Sequence, residues 1–257
     1  MDNKKAIGMF TVHKEVQQDM KGTFIQLYEM GYRGIEFYGE PEYDIAAVKG
    51  AITVSGLELT SWHIEWRDLQ PDRFDKTVDY LKEIGCSTAV VPCLGGKWNI
   101  GHSPDKESRE IWLGYIAWLN ETDKKLKAHG IRMGYHNHEH EFMLKYDGKP
   151  VFDMLFENLA QDIIMEFDTG NCIEGGADPV KVINKYKGRD MLLHLKPFSK
   201  TSGFDTVLGA EDDLNDWKAI LSASESDYLW LIIESECAVL GGFENAQKCI
   251  DGLNRVI

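Results

Sequence analysis

Eight short apolar runs alternate with amphipathic stretches from one end of the chain to the other. The runs are 6–12, 33–38, 58–64, 87–92, 131–137, 163–168, 190–196 and 229–235, rich in β-branched and aromatic residues, as strands are. Between them, 71–85 sets Phe74, Val78, Leu81 and Ile84 at helical spacing, and 107–128 does so with Ile111, Tyr115, Trp118, Leu119, Thr122 and Leu126. Gly31, Gly56, Gly85 and Gly130 stand where helical stretches give way to the next run, and glycine there supplies the left-handed residue that stops a helix. Strand–helix alternation predicts a parallel sheet. Eight repeats predict closure into a (β/α)8 TIM barrel. The alternative, an open doubly wound sheet, lacks its Gly-rich dinucleotide fingerprint after the first run. The 257 residues suit one such barrel, which typically takes about 250, and no linker or low-complexity tract divides them. One domain over 1–257 is expected.

Charge narrows the function. The chain carries 28 basic and 42 acidic side chains, a formal charge of -14. Nucleic-acid binding rests on a basic footprint that displaces counterions, so no nucleic-acid partner is expected. The five cysteines are scattered and form no CxxC pair, which argues against a zinc knuckle or a disulfide framework. Reduced thiols, a polar start to the chain and the lack of a long apolar run predict a cytoplasmic protein with no membrane partner. A homo-oligomer is compatible with all of this.

In a parallel barrel the functional side chains sit at the C-terminal strand ends and in the following loops. That rule selects Glu36, His63, His136, His138, Asp168, His194, Lys196, Glu234 and Glu236. Carboxylates crowded into one concave site repel each other, and a divalent cation removes that cost. Carboxylates with imidazole suit manganese, zinc, cobalt, iron or magnesium, with manganese favoured on ligand type. Glu166 shares a strand face with Asp168 but lies one layer deeper, so it is expected to partner a buried basic group. His13, His129 and Cys172 are read as structural, and His102 as a solvated loop residue. Trp62, Trp66 and Trp98 lie near strand ends as candidate platforms for a sugar ring, with core packing the alternative for Trp62.

At these residues the chain resembles the sugar phosphate isomerase/epimerase family of xylose isomerase-like TIM barrels. The resemblance is carried by Tyr135-His136-Asn137-His138 with Glu141-Phe142, then Asp168-Thr169-Gly170-Asn171, Ala177-Asp178-Pro179, and Lys185 to Arg189. His194-Leu195-Lys196, Asp216-Trp217, Ile233-Glu234 and the segment Gly31 to Tyr38 complete it. It implies one metal held by Glu141, Asp168, His194 and Glu234. Many relatives carry a glutamate at the end of strand five, where this chain has His136; Glu141 is preferred as the ligand, with His136 the alternative. Pro197 after Lys196, and the stretch Gly209 to Asp213, depart from the usual pattern on the loop expected to touch substrate.

The resemblance implies an isomerase or epimerase that acts on a sugar, keto-sugar or sugar-phosphate through an enediolate. Glu141, Glu234 and His136 are the expected acid–base groups. Glu36, His63, His138 and Lys196 are expected to contact substrate. A lyase that dehydrates or deglycosylates the same substrates is the alternative. A multi-metal DNA-repair nuclease is disfavoured by the charge. A non-catalytic sugar-binding protein is the remaining rival.

Overall fold

The computed structural model describes residues 4–95 and 108–257. Eight parallel strands close into a barrel in chain order. They are Lys5–Gly8, Gly34–Tyr38, Glu58–His63, Thr88–Val91, Arg132–His136, Ile164–Asp168, Met191–Leu195 and Tyr228–Ile233, here strands one to eight. Ile7 pairs with Ile233, which joins strand one to strand eight. Helices run between the strands on the outside, the longest being His13–Met30 and Arg109–Ala128. The (β/α)8 barrel expected from the alternation is the observed fold.

The helix stops fall where glycine was expected. Gly56 and Gly85 each adopt φ 80, a conformation that costs a side chain with a Cβ about 1–2 kcal/mol. Boundaries differ in two places. Strand one ends at Gly8, and Met9–Val12 turns into a 3-10 helix rather than extending the strand to 12. Met9, Thr11 and Val12 are buried there, so the turn folds apolar residues back over the barrel end. After strand five, Lys145–Tyr146 and Lys149–Pro150 form an antiparallel hairpin that the alternation does not reveal. Its turn, Asp147-Gly148, has φ 53 and 79, the positive values that select Asp-Gly.

Inside the barrel, residues two apart point to the same face. Ala6, Val90, Ile164, Leu192 and Ile232 form a buried apolar plug at one level. Gly34 belongs to that level, because a Cβ there would lie 2.6 Å from Thr60 and 3.1 Å from Ala6. One step further along, the same strand faces carry Glu36, His136, Glu166, His194 and Glu234. The apolar layer therefore floors a polar one. Outward-facing Tyr135, Phe167, Leu193 and Ile233 pack in the main core against the helices. Among the described residues, no helix is long and apolar enough to cross a membrane.

Candidate active site

Strands two, three, five, six, seven and eight and the loops after them bring a cluster of polar side chains to the C-terminal end of the barrel. The deepest are two carboxylates. Glu36 receives the Ser61 hydroxyl, its neighbour in register on strand three, and meets His194 Nε2 at 2.8 Å. Glu166 meets His63 Nε2 at 2.5 Å and His136 Nδ1 at 3.1 Å. Glu166 is thus the buried partner of basic groups that its depth implied.

These contacts divide the imidazoles. Glu36 accepts a hydrogen bond from His194 Nε2, and Nδ1 faces outward, 3.4 Å from Glu234 Oε2. His136 turns Nδ1 toward Glu166 and Nε2 toward Asp168 Oδ2, 3.9 Å away. A carboxylate behind an imidazole fixes its tautomer and strengthens it as a metal ligand. Lys196 spans the mouth, 3.0 Å from Glu234, 2.5 Å from Glu236 and 3.9 Å from Asp168.

Burial and neighbouring charges set the protonation states. Burial would raise Glu36, but the His63 and His194 imidazoles hold it down at about 2. Burial and then the Glu36 charge push Glu166 up to about 7. Burial lifts Asp168 to about 7 despite Lys196. Burial alone would raise Glu234, and Lys196 and His194 hold it well below the usual carboxylate range. Burial would depress His63, but Glu36 and Glu166 carry it to about 9. Burial keeps His136 and His138 well below the usual imidazole range, hence neutral.

The rim set fits a cation. Asp168, His194 and Glu234 offer ligand atoms within 4.8 Å of one another. Asp168 Oδ2 and His194 Nδ1 are buried and have no hydrogen-bond partner among the described residues. Two buried polar atoms without partners are costly; a cation bound there would take the place of the proton that, against burial, Glu166 and Glu36 favour on the His194 imidazole and would satisfy both atoms. Asp168 Oδ1 is already engaged, accepting from the Asn171 amide at 2.7 Å, so the carboxylate is fixed in place. His63, His136, Glu166 and His194 form a deeper group of the same compactness. There the His63–Glu166 and His194–Glu36 bonds already engage one atom of each of these residues, while Glu166 Oε1 and His136 Nδ1 have no hydrogen-bond partner among the described residues.

A cavity of about 180 Å³ opens over the rim. Phe10, Tyr38, His63, His136, His138, Lys196, Glu234 and Glu236 line it. Phe10 was not among the expected residues, and its position in a run read as strand concealed that it sits on the turn after strand one.

Several expected residues are placed elsewhere. Glu141 is 0 % exposed and does not join the rim. Its carboxylate accepts from Tyr135 Oη at 2.6 Å and from the His138 amide at 2.9 Å. Tyr135 faces the helices, on the side of strand five opposite His136, and it holds Glu141 on that side. Glu36 lines the cavity floor, but both its oxygens are engaged by Ser61 and His194. Trp62 is a core residue: its ring stacks on Phe37 with centroids 4.5 Å apart, and its Nε1 donates to the Gly39 carbonyl. Trp66 is exposed near Trp118 and is not among the cavity's lining residues. Trp98 and His102 lie outside the described residues.

A closed parallel barrel with metal-competent side chains on strands five to eight defines a class, the xylose isomerase-like TIM barrels. Residues 24–254 match that family, and the chain belongs to it. It is similar to inosose dehydratase of Geobacillus kaustophilus, 23% identical over 186 residues, a match that spans 66% of this chain and 59% of the relative's length. With inosose dehydratase of Clostridium beijerinckii it shares 24% identity over 256 residues, 85% of this chain and 83% of the relative. Among solved structures, a sugar phosphate isomerase/epimerase from Parabacteroides distasonis superposes with TM-score 0.80 at 21% identity, covering 98% of this chain and 94% of that one. All three are enzymes by name.

Proposed function

We propose that the chain is a divalent-metal-dependent enzyme that moves a proton at the carbon next to a carbonyl in a sugar, keto-sugar or sugar-phosphate. The observation that carries this reading is the pair of unsatisfied buried atoms, Asp168 Oδ2 and His194 Nδ1, grouped with Glu234, which lines the cavity over the rim. Asp168, His194 and Glu234 would hold the cation, with His136 Nε2 as the fourth ligand in place of Glu141. When bound, the cation supplies a Lewis acid that stabilises negative charge on the oxygens of an enediolate.

The chain's own groups divide the remaining work. Lys196, kept charged by Glu234, Asp168 and Glu236 against the cost of burial, donates hydrogen bonds to substrate oxygen. His63, carried up to about 9, does the same from the opposite wall. Two groups are placed to exchange the carbon-bound proton. Glu234 is ionised, and His138 is neutral and lines the cavity. A general base must be unprotonated and within reach of the proton it takes, and both meet the first condition at neutral pH. Manganese, zinc, iron, cobalt and magnesium are the candidate cations.

The names of the sequence relatives favour a second reading of the same chemistry. Loss of a β-leaving group from the enediolate would make the enzyme a dehydratase, as the curated relatives are called. One experiment tests both. Manganese-loaded protein is incubated in deuterated water with ketoses, inososes and keto-glycosides, and proton NMR is recorded. Deuterium is expected next to the carbonyl of at least one compound. A labelled epimer or isomer supports the first outcome, and an unsaturated product, which has lost that hydrogen, the second. Neither exchange nor conversion, with cation confirmed in the protein, would leave the non-catalytic sugar-binding protein as the better account.

A further inference from the structure

A second cavity adjoins the first. It has a volume of about 300 Å³ and lies between the turn after strand one and the loop after strand eight. The two cavities share two wall residues, Phe10 and Glu236. The cavity over the rim, at about 180 Å³, is smaller than the roughly 300–1,000 Å³ of ordinary small-molecule sites. Together the two reach that range. We infer that this neighbouring cavity is a subsite for a second, uncharged hydroxylated ring, so that the ligand is a two-ring glycoside rather than a lone sugar; this rests on the sugar reading of the rim site.

The walls support a ring of that chemistry. Phe10 is 41% exposed at the boundary of the two cavities. Its ring is held by His13 and Tyr38, with centroids 5.6 and 5.5 Å away. An aromatic face fixed in this way offers a flat apolar surface to the C–H face of a sugar or to a phenol. The floor is rigid. The Ser235 amide donates to Thr11 Oγ1 at 3.0 Å, and Asn245 Nδ2 donates to the Ser235 carbonyl at 3.3 Å. Side chains of Lys14 and His13 at the wall can meet hydroxyls.

The charges argue for a neutral occupant. Glu236 is engaged by Lys196 at 2.5 Å, and Glu15 accepts from the Gly242 amide at 3.0 Å. A cationic ligand would find both carboxylates already engaged, and an anionic one would face them with Lys14 as its main counter-charge. A hydroxylated neutral ring meets neither cost. The linkage between the two rings would then lie beside Phe10 and Glu236, the residues both cavities share.

Binding distinguishes the alternatives without needing turnover. Manganese-loaded protein is titrated with glucose and myo-inositol as single-ring probes, and with cellobiose, maltose and phenyl β-glucoside as two-ring probes. Affinity is read by calorimetry and contacts by saturation-transfer NMR. At least one two-ring probe is expected to bind tenfold or more tightly than either single ring. Ala238→Trp and Leu240→Trp, at the wall of the second cavity alone, are expected to abolish that gain and leave single-ring binding unchanged. Circular dichroism confirms the fold of each, and either variant alone suffices. If single rings bind and two rings gain nothing, or if both tryptophans leave the gain intact, the subsite is overturned while the sugar reading stands. If no probe binds to metal-loaded protein, the subsite is overturned, and the sugar reading is decided separately by the exchange experiment on ketoses, inososes and keto-glycosides.

Discussion

Replacing Glu141 separates the role implied by family resemblance from the role implied by geometry. In the structure its carboxylate holds two donors, Tyr135 Oη and the His138 amide, in a fully buried position. Glutamine keeps the shape but presents one oxygen, so one donor faces an amide nitrogen. A hydrogen bond to a charged group is worth about 1.5–3 kcal/mol and an orphaned buried donor costs about 1–3. Relief of the buried charge offsets part of this, so Glu141→Gln is expected to cost about 2 kcal/mol. Glu141→Ala orphans both donors and opens a cavity, costing about 3–6 kcal/mol. At about 2–4 °C per kcal/mol for a chain of this size, the two should melt visibly apart. Bound metal, measured by elemental analysis, should stay near one per chain in Glu141→Gln.

The pH dependence gives a sharper test. Burial raises the Glu141 carboxyl above its ordinary value. The folded state therefore binds more protons than the unfolded state in the window above the ordinary pKa of about 4.3, and stability attributable to this group falls as pH rises. The advantage of the wild type over Glu141→Gln should be largest near pH 4 and shrink toward neutrality. A carboxylate bound to a cation would be held ionised, and the advantage would grow with pH instead. A growing advantage in metal-loaded protein, together with loss of metal in the glutamine variant, would refute the geometric reading and restore Glu141 as a ligand.

Two further outcomes follow from the barrel interior. Glu234→Gln should lose most bound metal and turnover with circular dichroism unchanged, whereas Glu244→Gln, on the last helix, should leave both as they are; equal metal content in the two variants would remove Glu234 from the site. Gly34→Ala would press a methyl group against Thr60, Trp230 and Ala6, and overpacking of this kind costs about 1–3 kcal/mol. Its melting temperature should fall by a few degrees, and an unchanged value would mean the apolar plug yields more easily than its packing suggests.

Strand positions were legible because the strands are short and strands two to five each follow a helix-stopping glycine, Gly31, Gly56, Gly85 and Gly130, and the alternation of faces follows from the pleat. The same period of two places His136, Glu166, His194 and Glu234 toward the barrel axis. It fails where the chain leaves the sheet. Glu141 stands five residues beyond His136, past the end of strand five, and no periodicity says which side of the barrel the chain returns to; the Tyr135 hydroxyl decides it. Met9–Val12 is apolar enough for a strand, but Gly8 ends the strand at the barrel rim and the apolar side chains pack in a turn. Glu36 lies in the middle of strand two and is engaged from two sides. Its task depends on Ser61 and on His194, 158 residues away, which no local pattern encodes.

The histidine at the end of strand five bears on what the proposed site can do. A set of Asp168, Glu234, His136 and His194 carries two negative charges, which match a divalent cation. A glutamate in place of His136 would leave the set with one surplus negative charge. Less charge donated to the cation leaves it a stronger Lewis acid, and two imidazoles suit zinc, iron or cobalt better than a carboxylate-rich set, which suits manganese or magnesium. The manganese preference drawn from carboxylates with imidazole therefore weakens if a second imidazole takes the place of Glu141. Glu166 acts in the same direction. Facing His136 Nδ1 at 3.1 Å, it would return electron density to the imidazole, so the proposed site would be adjusted through a residue one layer below the cation. Strand six supplies both Glu166 and Asp168, so in the proposed site one strand would carry a ligand and the carboxyl behind the neighbouring imidazole.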